Sequence, residues 1–245
     1  MTAIVNPVKN RNSPQLGPVA VMAATQPDFK DLRAALAMDG QRQRPLYMSR
    51  LCLPDKGHGP CLAGPMIGAP YAVMVMETLI AWGAKTFLFL GWCGAISPQV
   101  RTGDIVLPTG GMIDEGTSPH YGMAGGQIAR PSAPLVKKVS ALLETLDVPW
   151  HAGHVWTTDA IYRETEAAVR RHQGQGVLAV EMETSALFAA AAFRGVEVVS
   201  LLVVSDELSS LTWCPGFKDS RFVDSRRTLV TALAAFLSDP EAGES

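Results

Sequence analysis

With 245 residues, 47% of them apolar and 18% charged, the chain has the composition of a globular protein with one large core and not that of a disordered one. A formal net charge of −2 argues against a polyanion as the main partner and so against nucleic acid. No run reaches the ~18 uninterrupted apolar residues of a membrane span, and Cys52, Cys61, Cys93 and Cys214 lack the spacing of a metal site.

The leading stretch "MTAIVNPVKNRNSPQLGP" is polar with scattered basic residues and has no apolar h-region. The expectation is therefore a cytoplasmic protein with reduced thiols. Residues 1–16 read as a flexible segment, 17–237 as a single domain and 238–245 as a tail. "VAVMAA" (Val19 to Ala24) is a short β-rich run, and "QPDFKDLRAALAM" starts with Pro and has apolar residues at helical spacing. "PYAVMVMETLIAWG" predicts a helix closed by Gly83. "KTFLFLG" and "GDIVLPT" predict buried strands, and "LGWCGAI" (Leu90 to Ile96) a Gly-rich turn between them.

"SAPLVKKVSALLETLD" predicts a helix, "VPWHAGHVWTT" a strand-pair region and "EAAVRRHQG" a further helix. "GVLAVEME" then reads as a strand, "TSALFAAAAFRG" as a helix ending at Gly195, and "VEVVSLLVVSD" as a long buried strand. "SRRTLVTALAAFL" closes the domain as a helix. Strands alternating with helices imply a three-layer α/β/α sandwich around a central mixed sheet, with functional residues where strands end.

Three strand ends carry unusual polar residues. Glu181 and Glu183 flank Met182 in an otherwise apolar run, and a buried carboxylate needs a partner. Residues two apart in extended backbone share a face, so both glutamates are expected to project together. They suit a ligand with vicinal hydroxyls, Met182 giving an apolar floor. The plainer reading makes Glu183 a helix N-terminal carboxylate and leaves Glu181 solvated. Asp206 ends the last buried strand, where a catalytic acid or a simple turn aspartate is equally at home.

Together, "AVEMETSALF", "VVSDEL", "GHVWTTDAIY" and "LGWCGAISPQVRTGDIVLPT" resemble the nucleoside phosphorylase family. That group holds uridine phosphorylase, hexameric purine nucleoside phosphorylase and the methylthioadenosine/adenosylhomocysteine nucleosidases. "DEGTSPHY" (Asp114 to Tyr121) is similar to the uridine-phosphorylase branch. The resemblance spans about Pro18 to Leu237 and implies cleavage of an N-glycosidic bond in a nucleoside or nucleoside-like small molecule. It implies a ribose clamp at Glu183, supported by Glu181 and Met182. Trp156, Thr157 and Tyr162 would lie beside the base, Cys93 and Gly94 would line it, and Asp206 would face it as acid. No cofactor and no metal is implied beyond phosphate as co-substrate, and the partners implied are further copies of the chain, as a dimer or a trimer of dimers.

The chain departs from that pattern where the family binds phosphate. Phe89 and Trp92 stand where an arginine and a hydroxyl residue are expected, and "AATQPDF" replaces a Gly-Asp-Pro-x-Arg turn. An indole does not replace a guanidinium fork, so Trp92 is expected to fill the acceptor space beside Glu183 and Asp206. Arg42, Arg44 and Arg50 remain as sources of charge, including from a neighbouring subunit. Phosphorolysis is the first expectation. Hydrolysis with Asp28 as base is the second, and a nucleoside-binding protein without turnover the third.

Overall fold

The computed structural model describes residues 3–41, 43–54 and 59–238. The strands are β1 (Val19–Ala23), β2 (Arg44–Leu46), β3 (Ser49–Cys52), β4 (Cys61–Gly64), β5 (Thr86–Ala95) and β6 (Ile105–Asp114), followed by β7 (Ile128–Ala129), β8 (Trp150–Thr158), β9 (Ala179–Glu181), β10 (Glu197–Glu207) and β11 (Cys214–Pro215). The helices are α1 (Gln26–Ala35), α2 (Ala69–Trp82), α3 (Ala133–Leu143), α4 (Glu166–Gly174), α5 (Thr184–Arg194) and α6 (Ser220–Ser238).

The central sheet is mixed, as expected, and runs β11-β10-β6-β8-β9-β5-β1-β4-β3-β2. Because β5 also pairs with β10, five strands close on themselves in the order β5, β10, β6, β8, β9. The apolar run "TFLFL" alternates in β5: Phe87 and Phe89 enter the core under α2 and α5, whereas Leu88 and Leu90 enter the core under α1, α3 and α6. A period of two sends successive side chains to opposite faces, so one strand feeds two cores. Both are covered by helices, which is why the run is continuously apolar.

Several elements differ from expectation. The Gly-rich stretch after "TFLFL" is not a turn, since β5 continues to Ala95 and exchanges β1 for β9 as a neighbour beyond Leu90. "VPWHAGHVWTT" gives one strand, β8, paired with β6 and β9. The short strands β2, β3 and β4 at one end of the sheet escape sequence reading because three or four residues carry too little periodicity. The leading segment is tied to α2, the Trp82 indole donating to the Val8 carbonyl (3.0 Å) and the Leu16 N–H to the Trp82 carbonyl (3.0 Å). Among the described residues no helix is long and apolar enough to cross a membrane, and no cluster of three His, Cys, Asp or Glu side chains could hold a metal ion.

Candidate active site

Register brings the three strand ends together. Gly94 on β5 lies between Val180 of β9 and Asp206 of β10. The residue after Val180 is Glu181, and the residue before Gly94 is Cys93. Around the fully buried Cys93 thiol, burial and then the charges of Asp206 and Glu181 raise its pKa well above the ordinary thiol value. Two carboxylates thus converge on Cys93 from either side.

The glutamates divide their work in an unexpected way. Glu181 is 4% exposed and accepts from the Thr157 hydroxyl, the Glu183 N–H (2.8 Å) and the Thr184 N–H (2.8 Å). It caps the first turn of α5, a task that its N-cap residue Glu183 leaves undone. Thr157 Oγ1 in turn accepts the Ser185 N–H (2.9 Å), so β8, β9 and α5 are fixed around one carboxylate. The helix-terminal role expected of Glu183 therefore belongs to Glu181.

Glu183 is equally buried, at 5% exposure, but its carboxylate takes its tertiary hydrogen bond from the Gly68 N–H alone. Burial, then the charge of Glu181, push its pKa up to about 8, and the Gly68 and Met182 N–H groups only partly offset them. Glu181 is also raised, by burial, against the hydrogen bonds of Thr157, Glu183 and Thr184. Of the two neighbouring buried carboxyls, Glu183 is the one with few donors to offset its burial and the charge beside it. Met182 lies between them, half-buried.

Asp206 is re-aimed by an irregularity. The β5–β10 register shifts between Val204 and Asp206, a bulge of the kind that redirects side chains. Ser205 donates to Asp206 Oδ1 (2.6 Å), and the Trp213 indole donates to Oδ2 (2.8 Å). The approach is possible because residue 94 is glycine: a Cβ there would stand 3.1 Å from Asp206 Oδ2 and 2.6 Å from Leu208 Cδ1. Glu164, following the 3-10 turn Ile161–Arg163, is raised to about 7 by burial and then by the charge of Asp206.

Two residues expected beside the base, Trp156 and Tyr162, and one expected in the acceptor space, Trp92, lie elsewhere or face away. Trp156 packs on the other face of β8 from Thr157, stacked on His172 of α4 at 4.4 Å, with its N–H on Asp114 (2.9 Å). The correction follows from strand parity: 156 and 157 cannot both face Glu181. Tyr162 is 97% exposed and reaches no partner in the site. Trp92 faces opposite Cys93, edge-on to Phe222 at 5.0 Å, its N–H donating to Asp28 Oδ2 (2.6 Å). Its indole is therefore not in the pocket of Glu183 and Asp206, contrary to expectation.

Asp28 is fully engaged. Arg226 donates to Oδ1 through Nε (2.7 Å) and Nη2 (2.6 Å), and Thr25 donates to Oδ2 (2.8 Å). Burial raises its pKa against the opposing charge of Arg226 and these hydrogen bonds. A carboxylate enclosed this way has no lone pair directed at water, so the geometry does not favour it as a base. Among the suggested phosphate ligands, Arg44 donates to the Asn12 carbonyl (2.9 Å) and Arg50 is exposed on β3; Arg42 lies outside the described residues. Sequence reasoning missed Trp213 and Glu164, which stand in loops where no periodicity or motif marks them.

A separate cleft of about 1220 Å³ opens between the leading segment, α2 and the Ser118–Tyr121 turn, and its lining includes neither Glu183 nor Asp206. Tyr47, Met74 and Phe193 border it; they are 54%, 41% and 56% exposed.

The family model for the phosphorylase superfamily matches residues 18–239. A guanosine phosphorylase of Halorubrum lacusprofundi is 32% identical over 145 residues, 58% of this chain and 58% of that protein. A DeoD-type purine nucleoside phosphorylase of Bacillus cytotoxicus is 34% identical over 160 residues, 62% of this chain and 66% of its own. The chain thus matches about three fifths to two thirds of the length of these relatives. Crystal structures of uridine phosphorylase from Vibrio fischeri share the fold: one superposes with a TM-score of 0.74 at 24% identity, covering 91% of this chain and 90% of that one.

Proposed function

The chain belongs to the phosphorylase superfamily, and we propose from that premise that it cleaves the N-glycosidic bond of a ribonucleoside by phosphorolysis, giving the free base and ribose 1-phosphate. One observation carries this reading: Glu183, buried at a strand end, is left with hydrogen-bonding capacity while Glu181 beside it is saturated. With its proton held to about pH 8, the Glu183 carboxyl can donate to one ribose hydroxyl and accept from the other. Both bonds position the sugar for attack at C1′.

Asp206 stands across Cys93 and Gly94 from the glutamates, where a base joined to that ribose would lie. As the C1′–N bond breaks, its electron pair goes to the base, and a carboxyl there supplies or orients the proton that neutralises it. A phosphate oxygen forms the new bond to C1′. Arg226 is held by Asp28 and Asp31, so the acceptor's counter-charge has to come from elsewhere. Arg50, exposed and without an ion pair among the described residues, is the cation a neighbouring copy would offer. The apolar border of the cleft at Tyr47, Met74 and Phe193 supports such a homo-oligomer.

Incubation of the pure protein with a panel of purine and pyrimidine ribonucleosides, with and without inorganic phosphate, tests the reading. Free base and ribose 1-phosphate formed only with phosphate support it. Free ribose formed without phosphate, or no product from any nucleoside, reject it.

A further inference from the structure

An aromatic beside the base was expected at Trp156, which faces α4 instead. An aromatic that does touch the site is Trp213. It is 60% exposed, an unusual state for the largest apolar side chain, yet its single N–H is committed to Asp206 Oδ2 at 2.8 Å. The loop carrying it is anchored directly after the indole-bearing residue. The β11 strand pairs Pro215 with Asp206 and Cys214 with Glu207, and the Gly216 N–H donates to the Ser205 carbonyl (2.9 Å). Gly216 fits against the bulge only without a side chain, since a Cβ would meet Thr102 Cγ2 at 2.3 Å.

Behind Trp213, Phe217 lies 6.4 Å away and links it to Trp92 at 6.1 Å. The indole is thus pinned at its N–H and braced at one side while most of its surface stays open to solvent. Were Trp213 only a packing residue, burying that surface would be favoured at about 25 cal/mol per Å². An anchored loop that leaves the ring uncovered, directly against the carboxylate at the site, is instead suited to receive a flat ligand.

We propose that Trp213 is a positioning residue for Asp206 and a wall of the base subsite, its N–H fixing Oδ2 while its ring meets the heterocycle. Ser205 on Oδ1 and Trp213 on Oδ2 then hold the carboxylate in one orientation, as catalysis at the leaving base requires. The base-wall part of the proposal rests on the nucleoside reading above, whereas the Trp213–Asp206 bond does not.

The test combines two measurements. In protein labelled with ¹⁵N at tryptophan, the indole resonance missing from Trp213→Phe identifies Trp213. Its upfield shift and faster solvent exchange in Asp206→Asn are expected, and an unmoved, equally protected resonance would overturn the bond. Adding adenine, hypoxanthine or uracil should move the same resonance for at least one base; no movement with all three would overturn the wall. Where the wild type turns over a nucleoside, Trp213→Phe should lower kcat about tenfold but change it less than twofold in an Asp206→Asn background. Equal losses in both backgrounds would show that Trp213 acts independently of Asp206. If no nucleoside is turned over, the function fails while the resonance measurement still decides the role of Trp213.

Discussion

Glu181 accepts the backbone N–H of Glu183 at 2.8 Å, so one glutamate of the pair fixes the backbone from which the other projects. The arrangement explains why two buried carboxyls sit so close despite their mutual repulsion. Glu181 closes α5 and binds Thr157, which makes it a structural acid. Burial, and then that proximity, raise the pKa of Glu183, and it is the one with capacity left for a ligand.

That raised pKa fixes a pH dependence of stability. The folded protein holds the Glu183 proton to about pH 8, against an ordinary value of 4.5. Between those values the folded state binds more protons than the unfolded state. Stability therefore falls as pH rises through that window and levels off above it. Urea midpoints for Glu183→Gln should show a flatter slope across the window than those of the parent. An unchanged slope would mean that Glu183 is ionised throughout.

Gly94→Ala should damage activity far more than stability. The new Cβ would press on the flexible end of Leu208 and on Asp206 Oδ2, and displacing a catalytic carboxylate by about 1 Å costs on the order of 10²-fold in turnover. Gly111→Ala gives the opposite result, because its Cβ would meet the Ser185 backbone at 2.7 and 2.8 Å. Backbone cannot step aside, so a loss of about 1–3 kcal/mol in stability is expected. Thermal melts paired with steady-state rates separate the two variants.

How much of this was legible in the sequence can be judged from particular residues. Glu183 and Asp206 stood out because apolar runs ended abruptly in charge, a signal that survives without any structure. The facing of aromatics did not. Trp156 is one position from Thr157, and Trp92 one from Cys93; in a strand that single step moves a side chain to the other face. Gly91 and Gly94 suggested a turn but mark close approaches inside a continuing strand. Trp213 was illegible because its place at Asp206 depends on the pairing of β11 with β10, which two residues of sequence do not announce.

Asp28→Asn separates a structural from a catalytic role for that residue. Removing one partner of the buried Asp28–Arg226 pair should destabilise the fold by about 3 kcal/mol, the low end for such pairs because Asp31 still holds Arg226. At a temperature where the variant stays folded, kcat should remain within a few-fold of the parent. A stable, fully folded variant without activity would instead return Asp28 to the chemistry.

The ribose clamp is tested most directly by comparing a turned-over ribonucleoside with its 2′,3′-dideoxy counterpart as a competitive ligand, in the parent and in Glu183→Gln. The parent should bind the ribonucleoside about tenfold more tightly, the effect of two neutral hydrogen bonds of about 0.5–1.5 kcal/mol each to the protonated Glu183 carboxyl. In Glu183→Gln most of that preference should vanish, with dideoxy affinity little altered. Equal affinities for the two ligands in the parent, or a preference that survives intact in Glu183→Gln, would contradict the assignment.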